Sequence, residues 1–248
     1  MFTIEQRDAL RGRLLQLAQE DERVVAGAAV GSLAVDGGGD RFSDLDLTFA
    51  VSDHVPVADV LDDWTRTLTG ELAAAHLTEL SRGPTTYRVF LLPDALQCDL
   101  SMTPAARFRP AGPRFRLLFG QIAAGEATMP TPAVAADLFG WGVIYALHAR
   151  ACIGRGRVWQ AEHYVGAVRD HALTLACLRR GLPAVQARGY DDLPAETLAQ
   201  FGEAHVGATE PGALRVALAA SARALLREGA EAHLPHAETI AQRLADLC

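Results

Sequence analysis

Residues 43–51 read Ser-Asp-Leu-Asp-Leu-Thr-Phe-Ala-Val, and this stretch carries the strongest structural signal in the chain. Every second residue from Leu45 to Val51 is apolar, which is the pattern of a β-strand with one buried face. Residues two apart on a strand point to the same side, so Asp44 and Asp46 are expected to project next to each other. The stretch therefore predicts a strand that displays two neighbouring carboxylates.

Two adjacent carboxylates repel each other unless a cation lies between them. A hard divalent ion such as Mg²⁺ prefers oxygen ligands and would remove that repulsion. A third acid, Asp99, lies within residues 96–102, which we predict to be the second strand of a hairpin whose first strand is 85–92. If the Asp99 strand neighbours the strand of Asp44 and Asp46, three carboxylates converge on one face and form a metal site.

The segment before these acids supplies a different kind of group. Residues 24–32, Val-Val-Ala-Gly-Ala-Ala-Val-Gly-Ser, predict a buried strand that ends in a tight turn at Gly31 and Ser32. Such a turn exposes backbone N–H groups and one hydroxyl, which are suited to binding phosphate. Together with the carboxylates, the turn predicts a site for a metal-bridged triphosphate.

The rest of the chain divides into two halves of different character. Helical periodicity is expected over 4–20 and 55–74, and residues 103–114 form a linker rich in proline and arginine. Beyond residue 115 the strong patterns are all helical, at roughly 132–153, 158–180, 194–204, 210–228 and 235–247. We therefore predict an α/β (α+β) domain with a mixed sheet over 1–114 and an all-α helical bundle over 115–248.

Composition excludes several classes of protein. The net charge of -7 disfavours nucleic acid as a partner, since nonspecific nucleic-acid binders present a basic field. All 23 basic residues are arginine, so neither a P-loop lysine nor a Schiff-base lysine exists in this chain. The four cysteines show no CxxC spacing, which argues against a zinc knuckle and fits reduced thiols.

The sequence also shows no membrane or export signal. No apolar run reaches the roughly 20 residues that a membrane span requires. The first residues are charged and amphipathic, unlike a signal peptide. We expect a cytoplasmic protein that does not associate with membranes.

The order of these motifs resembles the signature of the nucleotidyltransferase superfamily, which has the polymerase-β-like fold. The residues that carry the resemblance are Val30-Gly31-Ser32, then 43–47, then Asp99, and the match covers roughly residues 24–102. With a helical second half, the whole chain is similar to the aminoglycoside and lincosamide nucleotidyltransferases of antibiotic resistance. Many members carry a small residue, Arg and Gly after Gly-Ser; here either Arg41 replaces that basic contact or the contact is absent.

The resemblance implies a mechanism. Asp44 and Asp46 would hold Mg²⁺ against the phosphates of a nucleoside triphosphate, and Asp99 would complete a second metal site or act as base. A hydroxyl of a small-molecule acceptor would attack the α-phosphorus, and Mg-pyrophosphate would leave. The transferred group would most often be AMP from ATP, with Gly31, Ser32 and Arg41 contributing to nucleotide binding.

Two further sets of residues are open to more than one interpretation. Glu162 shares a helix face with Arg169, and it is either a second candidate for general base or part of a solvated face. The linker arginines either clamp the triphosphate or form a solvated hinge; they are Arg107, Arg109, Arg114 and Arg116.

Two alternatives to transfer onto a small molecule remain at this stage. The same domain could be a catalytically idle nucleotide-binding regulator or a toxin–antitoxin-type partner. It could also transfer a nucleotide to a protein or an RNA, although the negative net charge disfavours RNA as acceptor.

Overall fold

The computed structural model of the chain describes residues 2–36, 38–125 and 133–245. The chain divides into two units, Met1–Thr131 and Pro132–Cys248. In the first unit, six strands and two helices are formed: β1 (Val24–Val30), β2 (Leu45–Val51), β3 (Ala75–Arg82), β4 (Thr85–Leu92), β5 (Leu96–Pro104), β6 (Phe115–Phe119), α1 (Ile4–Glu20) and α2 (Val57–Glu71).

The six strands form one mixed sheet in the order β3-β4-β5-β2-β1-β6. The central pair, β2 and β5, is parallel, and the other neighbouring pairs are antiparallel. The predicted hairpin is confirmed as β4 and β5, and the predicted neighbourhood of β2 and β5 is confirmed as well. The α/β fold class expected for the first half is therefore correct.

Alternation along β2 separates the core from the site. Leu45, Leu47 and Phe49 are fully buried in a cluster with residues of α1 and α2, whereas the intervening Asp46 and Thr48 are only half-buried. The ring of Phe49 meets that of Trp64 on α2 edge to face, with centroids 5.0 Å apart. Burial of such large apolar side chains is the main stabilising contribution, about 1.5–3 kcal/mol for each one.

The opposite face of the sheet is covered by a smaller cluster. Ala26, Ala28 and Ala50 pack there against Phe108, which is 1% exposed. Phe108 belongs to the segment 103–114 predicted as a linker, and its burial makes this part of the segment integral to the first unit. Small side chains on β1 are consistent with this arrangement because they let an aromatic ring lie close to the backbone.

The structure corrects the predicted boundary between residues 114 and 115. Phe115–Phe119 forms β6, which pairs antiparallel with β1 and so belongs to the first unit. The sequence pattern missed β6 because the strand is short and its residues are half-buried or exposed rather than alternating. The edge strand β3 was missed for a related reason, since all its residues are exposed and leave no apolar periodicity.

The second unit is helical, as predicted. Its helices are α3 (Ala135–Gly154), α4 (Val158–Arg179), α5 (Ala195–Leu198), α6 (Pro211–Glu231) and α7 (Ala237–Arg243). The predicted helix at 194–204 is in fact the short α5 followed by a 3₁₀ turn, Ala199–Ala204. Residues 132 and 246–247 of the predicted helices lie outside the described residues.

The core of the second unit is built from small and aliphatic side chains on α3, α4 and α6. One charged group is buried beside it: Glu228 is 2% exposed and accepts a hydrogen bond from Nε of Arg179 at 3.0 Å. Arg180 approaches the same carboxylate at 3.6 Å. Across the described ranges, no helix is both long enough and apolar enough to cross a bilayer.

Candidate metal and nucleotide site

Three carboxylates meet on the polar face of the central strand pair. In the parallel register of β2 and β5, Asp46 lies opposite Asp99, and Asp44 immediately precedes β2. One oxygen from each of Asp44, Asp46 and Asp99 lies within 4.8 Å of the others. All three residues are half-buried, so the cluster is reachable from solvent yet partly shielded from it.

The carboxylates create a strongly negative local field. Burial raises the pKa of Asp99, the hydrogen bond from Gln97 lowers it, and the charge of Asp44 raises it again. Gln97 donates that bond from Nε2 to Oδ1 of Asp99 at 2.9 Å. The thiol of Cys98, next to Asp99 but on the apolar face, has its pKa raised first by burial and then by the three carboxylates. A divalent cation would neutralise this field.

Gly31 brings the backbone of the Gly-Ser turn against the carboxylate of Asp46. Its φ of +68° lies in the left-handed region, which residues other than glycine rarely adopt. A Cβ atom at this position would collide with Oδ2 of Asp46. Glycine is therefore required both by the backbone conformation and by the close approach to an acid of the site.

Ser32 follows directly and carries a polar atom with no partner. Its Oγ is buried and makes no hydrogen bond to any residue that the structure describes. Buried hydroxyls almost always have a partner, so an isolated one indicates a ligand, an ion or water at that point. Ser32 follows Gly31, whose backbone lies against Asp46, so this hydroxyl is a candidate donor to an oxygen of a phosphate group.

Arg116 of β6 braces the same turn. Its Nη2 donates to the carbonyl of Leu33 at 2.9 Å, and its Nη1 pairs with Oδ1 of Asp36 at 2.8 Å. Of the two interpretations left open for the linker arginines, the solvated hinge is therefore wrong for Arg116. The residue lies in a strand of the sheet and anchors the turn that contains Gly31 and Ser32.

Arg7 holds the other loop of the site, and sequence reasoning missed it. This buried residue of α1 donates from Nη1 to the carbonyls of Asp40 and Ser43, at 2.7 and 3.3 Å. Asp40 also accepts from the backbone N–H of Phe42 at 2.9 Å, and this bond lowers the pKa of its carboxyl. The loop thus arrives at Asp44 in a defined conformation. A single arginine in an amphipathic helix offers no sequence signal for this role.

The structure shows the surroundings of two further predicted site residues, Arg41 and Glu162, without assigning either of them a role. The guanidinium of Arg41 lies 4.4 Å from the ring centroid of its neighbour Phe42, and both residues are exposed. Glu162 is half-buried on α4 and belongs to the second unit. Their roles in nucleotide binding and in proton transfer stay predictions.

The residues present fit a divalent metal and a phosphate chain. Three carboxylates supply the hard oxygen ligands that Mg²⁺ prefers. The turn next to them supplies an unpartnered hydroxyl and a glycine that leaves room for close approach. This combination can hold an anion and a cation together, which is what a metal-bound triphosphate requires.

Comparison with known proteins adds a distant structural likeness. No protein-family model matches the chain, and no curated protein sequence matches it. Among solved structures, the chain is similar to an aminoglycoside 6-adenyltransferase from Bacillus subtilis, with 13% identity and a TM-score of 0.35. That similarity covers 94% of this chain and 95% of the other. A likeness this distant leaves the functional argument to the site of the chain itself.

Proposed function

We propose that this protein is a Mg²⁺-dependent nucleotidyltransferase that moves a nucleoside monophosphate, AMP from ATP, to a hydroxyl group of a small molecule. One observation carries the proposal. Three adjacent strands, in the order β5-β2-β1, bring Asp99, Asp46 and the Gly31-Ser32 turn side by side. In-line nucleotidyl transfer needs a base, a metal ligand and a phosphate-binding turn close together. Asp99, Asp46 and the Gly31-Ser32 turn would supply these three parts in that order.

The order of the row divides the roles. Ser32 and the backbone of Gly31 lie on the β1 side of Asp46, so the phosphate chain of the nucleotide would bind on that side. Asp99 lies on the opposite side of Asp46, where the acceptor would approach. Asp44 and Asp46, together with Asp99, would hold Mg²⁺, which neutralises phosphate charge and polarises the α-phosphorus when it is bound.

The residues of the chain would act on the reactants as follows. The Ser32 hydroxyl donates to a phosphate oxygen, and Arg116 keeps the turn of Ser32 in place through the Leu33 carbonyl. Asp99 accepts the proton of the attacking hydroxyl. The new bond joins the acceptor oxygen to the α-phosphorus. The bond from that phosphorus to the oxygen that bridges the α- and β-phosphates breaks, and pyrophosphate leaves with the electron pair.

The class of acceptor rests on the resemblance and on charge. Net charge of -7 disfavours nucleic acid as the acceptor and leaves small hydroxylated molecules, with aminoglycosides and lincosamides as the first to test. The second unit, which includes Glu162, would contribute acceptor contacts in this proposal.

The experiment is a pyrophosphate-release assay with each nucleoside triphosphate, Mg²⁺ and a panel of aminoglycosides, lincosamides and simple polyols. Asp46→Asn should lower the rate by at least about 100-fold, because it removes a metal ligand. Asp59→Asn, an exposed acid on α2, is the matched control and should keep full activity. Undiminished transfer by Asp46→Asn would refute the proposal. Mg²⁺-dependent nucleotide binding without transfer to any acceptor would favour the regulatory alternative.

A further inference from the structure

The second unit contains a cavity that the proposed reaction does not use. Its volume is about 780 Å³, within the usual range for a small-molecule site. It is lined by residues of α4, by the loop that contains the 3₁₀ turn Val185–Ala187, and by the 3₁₀ turn Ala199–Ala204. All of its lining residues belong to one unit, so the cavity is complete within that unit.

The floor of the cavity is apolar. Leu173 and Phe201 are 8% and 5% exposed and belong to the core of the unit, and Leu198 beside them is half-buried. A ligand with a hydrocarbon or aromatic body would cover this surface and release water from it. A purely polar ligand would leave the floor without a matching partner.

One wall of the cavity is held rigid by hydrogen bonds. The hydroxyl of Tyr190 lies 2.7 Å from Oγ1 of Thr174 and donates to the carbonyl of Asp170 at 2.8 Å. The guanidinium of Arg169 binds Oδ1 of Asp170 through Nε and Nη2, at 3.0 and 2.9 Å. Because Arg169 is engaged by Asp170, the positive charge at this wall is already compensated.

The net charge that remains in the cavity is negative. Asp191 lines it, and among the described residues this carboxylate has neither an ion pair nor a hydrogen bond. With His205, which also lines the cavity, counted as neutral, setting Arg169 against Asp170 leaves the charge of Asp191 without a counterion. Both bonds from Arg169 go to Oδ1 of Asp170, so the second carboxylate oxygen of this lining residue accepts no bond from Arg169.

The backbone of one lining turn is strained. Gln186 and Ala187 both line the cavity, and both have left-handed φ values, 56° and 61°. Neither is a glycine, and consecutive left-handed residues with side chains are costly. Strain of this kind concentrates at ligand clamps and active sites, where the surrounding structure maintains it.

We propose that this cavity binds a small organic cation, with its hydrocarbon body on Leu173 and Phe201 and its ammonium group between Asp191 and Asp170. The apolar floor fits the hydrocarbon body of such a ligand, and the unmatched negative charge fits its ammonium group. The proposed ligand contacts involve residues of the second unit alone, and testing them needs no nucleotide.

Three probes of similar shape and different charge test this proposal by isothermal titration calorimetry on the full chain at pH 7. The probes are 2-phenylethylammonium, the neutral 2-phenylethanol and the anionic 3-phenylpropanoate, which share a phenyl body. The cation should bind best and the anion worst. Asp191→Asn should weaken binding of the cation by about 2- to 5-fold, the range for a solvent-exposed ion pair, and leave binding of the alcohol unchanged.

The neighbouring Asp192 provides the matched control, because it is also exposed but does not line the cavity. Asp192→Asn removes the same charge and should leave all three affinities unchanged. A second variant, Gly202→Leu, adds bulk at the cavity wall where a side chain meets no neighbour, and it should weaken binding of both the cation and the alcohol.

Three results would overturn the proposal. One is the absence of cation binding at concentrations up to about 10 mM. Another is equal binding of the cation and the anion. The third is an equal effect of Asp191→Asn and Asp192→Asn, since that would show a general effect of surface charge rather than a site.

Discussion

The backbone of Gly31 lies so close to the carboxylate of Asp46 that a Cβ atom at position 31 would force this carboxylate to move. This contact joins the turn after β1 to the acid in the middle of the site. It therefore couples the position of the candidate phosphate-binding group to the position of a candidate metal ligand. A change at Gly31 should disturb both.

Gly31→Ala should destabilise the fold and weaken metal binding together. The left-handed backbone costs about 1–2 kcal/mol for a residue with a Cβ, and the collision with Asp46 adds to that cost. Urea unfolding measures the first effect, and titration with Mn²⁺, followed by electron paramagnetic resonance, measures the second.

Gly83→Ala is the control for this prediction. Gly83 has a similar φ of +58°, but a Cβ there meets nothing within 4 Å. The Gly83→Ala variant should lose about 1–2 kcal/mol of stability, because backbone strain is its only cost. Its Mn²⁺ affinity should not change. Equal Mn²⁺ affinity in both variants would show that the Gly31–Asp46 contact does not position the metal ligand.

Asp99→Asn should stabilise the metal-free protein at neutral pH. Burial raises the pKa of Asp99 above its unfolded value, so ionisation of this group in the folded state costs stability. Below the unfolded pKa of about 3.9 the carboxyl is protonated in both states and the cost is absent. The advantage of the variant should therefore grow as pH rises through the unfolded and then the folded pKa.

Thermal unfolding in a chelating buffer measures this difference. The pH should run from about 3 to about 7, so that the interval includes the ordinary aspartate pKa. Asp59→Asn, at an exposed position on α2, controls for the loss of one negative charge. If Asp99→Asn is as stable as the wild type at neutral pH and more stable only at low pH, the assigned direction of the pKa shift is wrong.

Arg116→Met should weaken nucleotide binding. The substitution removes the bonds that hold the Leu33 carbonyl and Asp36, so the turn of Gly31 and Ser32 loses its anchor. Hydrogen bonds from charged groups contribute about 1.5–3 kcal/mol, and loss of the lower value corresponds to roughly a tenfold weaker affinity for ATP.

Arg114→Met is the matched control, because it removes the same charge from the same segment at an exposed position. Nucleotide affinity can be measured by calorimetry in the presence of Mg²⁺. Equal losses in the two variants would mean that Arg116 does not act through the turn, and that both arginines act by direct contact with the triphosphate or by the net charge of the segment.

Glu228→Ala should destabilise the second unit by about 1.5–3 kcal/mol, because it removes a buried carboxylate that accepts a hydrogen bond from Arg179 and lies near Arg180. Arg179 keeps its pair with Glu231, so it does not lose every counterion. The hydrogen bond from Arg179 to Glu228 is also the first cause of the raised pKa of that arginine. Glu203→Ala removes an exposed partner of Arg223 and should cost at most about 1 kcal/mol. Denaturant unfolding of both variants should show this contrast, and similar small losses would contradict it.

Local pattern was enough to predict the elements that are buried on one face. The alternation of Leu45, Leu47 and Phe49 predicted β2 correctly because one side of that strand faces the core. The same reasoning failed for β3, whose residues are all exposed, and for β6, which is short and half-buried. Both strands are formed by backbone pairing with a neighbour, which leaves no trace in the order of apolar residues.

The sequence by itself determined which chemical groups are available: three aspartates at strand positions, a Gly-Ser turn and no lysine. Only the tertiary structure decided how they are arranged. The parallel register of β2 and β5 sets Asp46 opposite Asp99, and the arginines that hold the two loops come from α1 and β6. The physical reason is the distance along the chain over which each feature is determined. Whether a segment forms a strand depends on residues only a few positions apart. Register and bracing contacts instead join segments such as Arg7 with Ser43 and Leu33 with Arg116, and these form only when the whole sheet assembles.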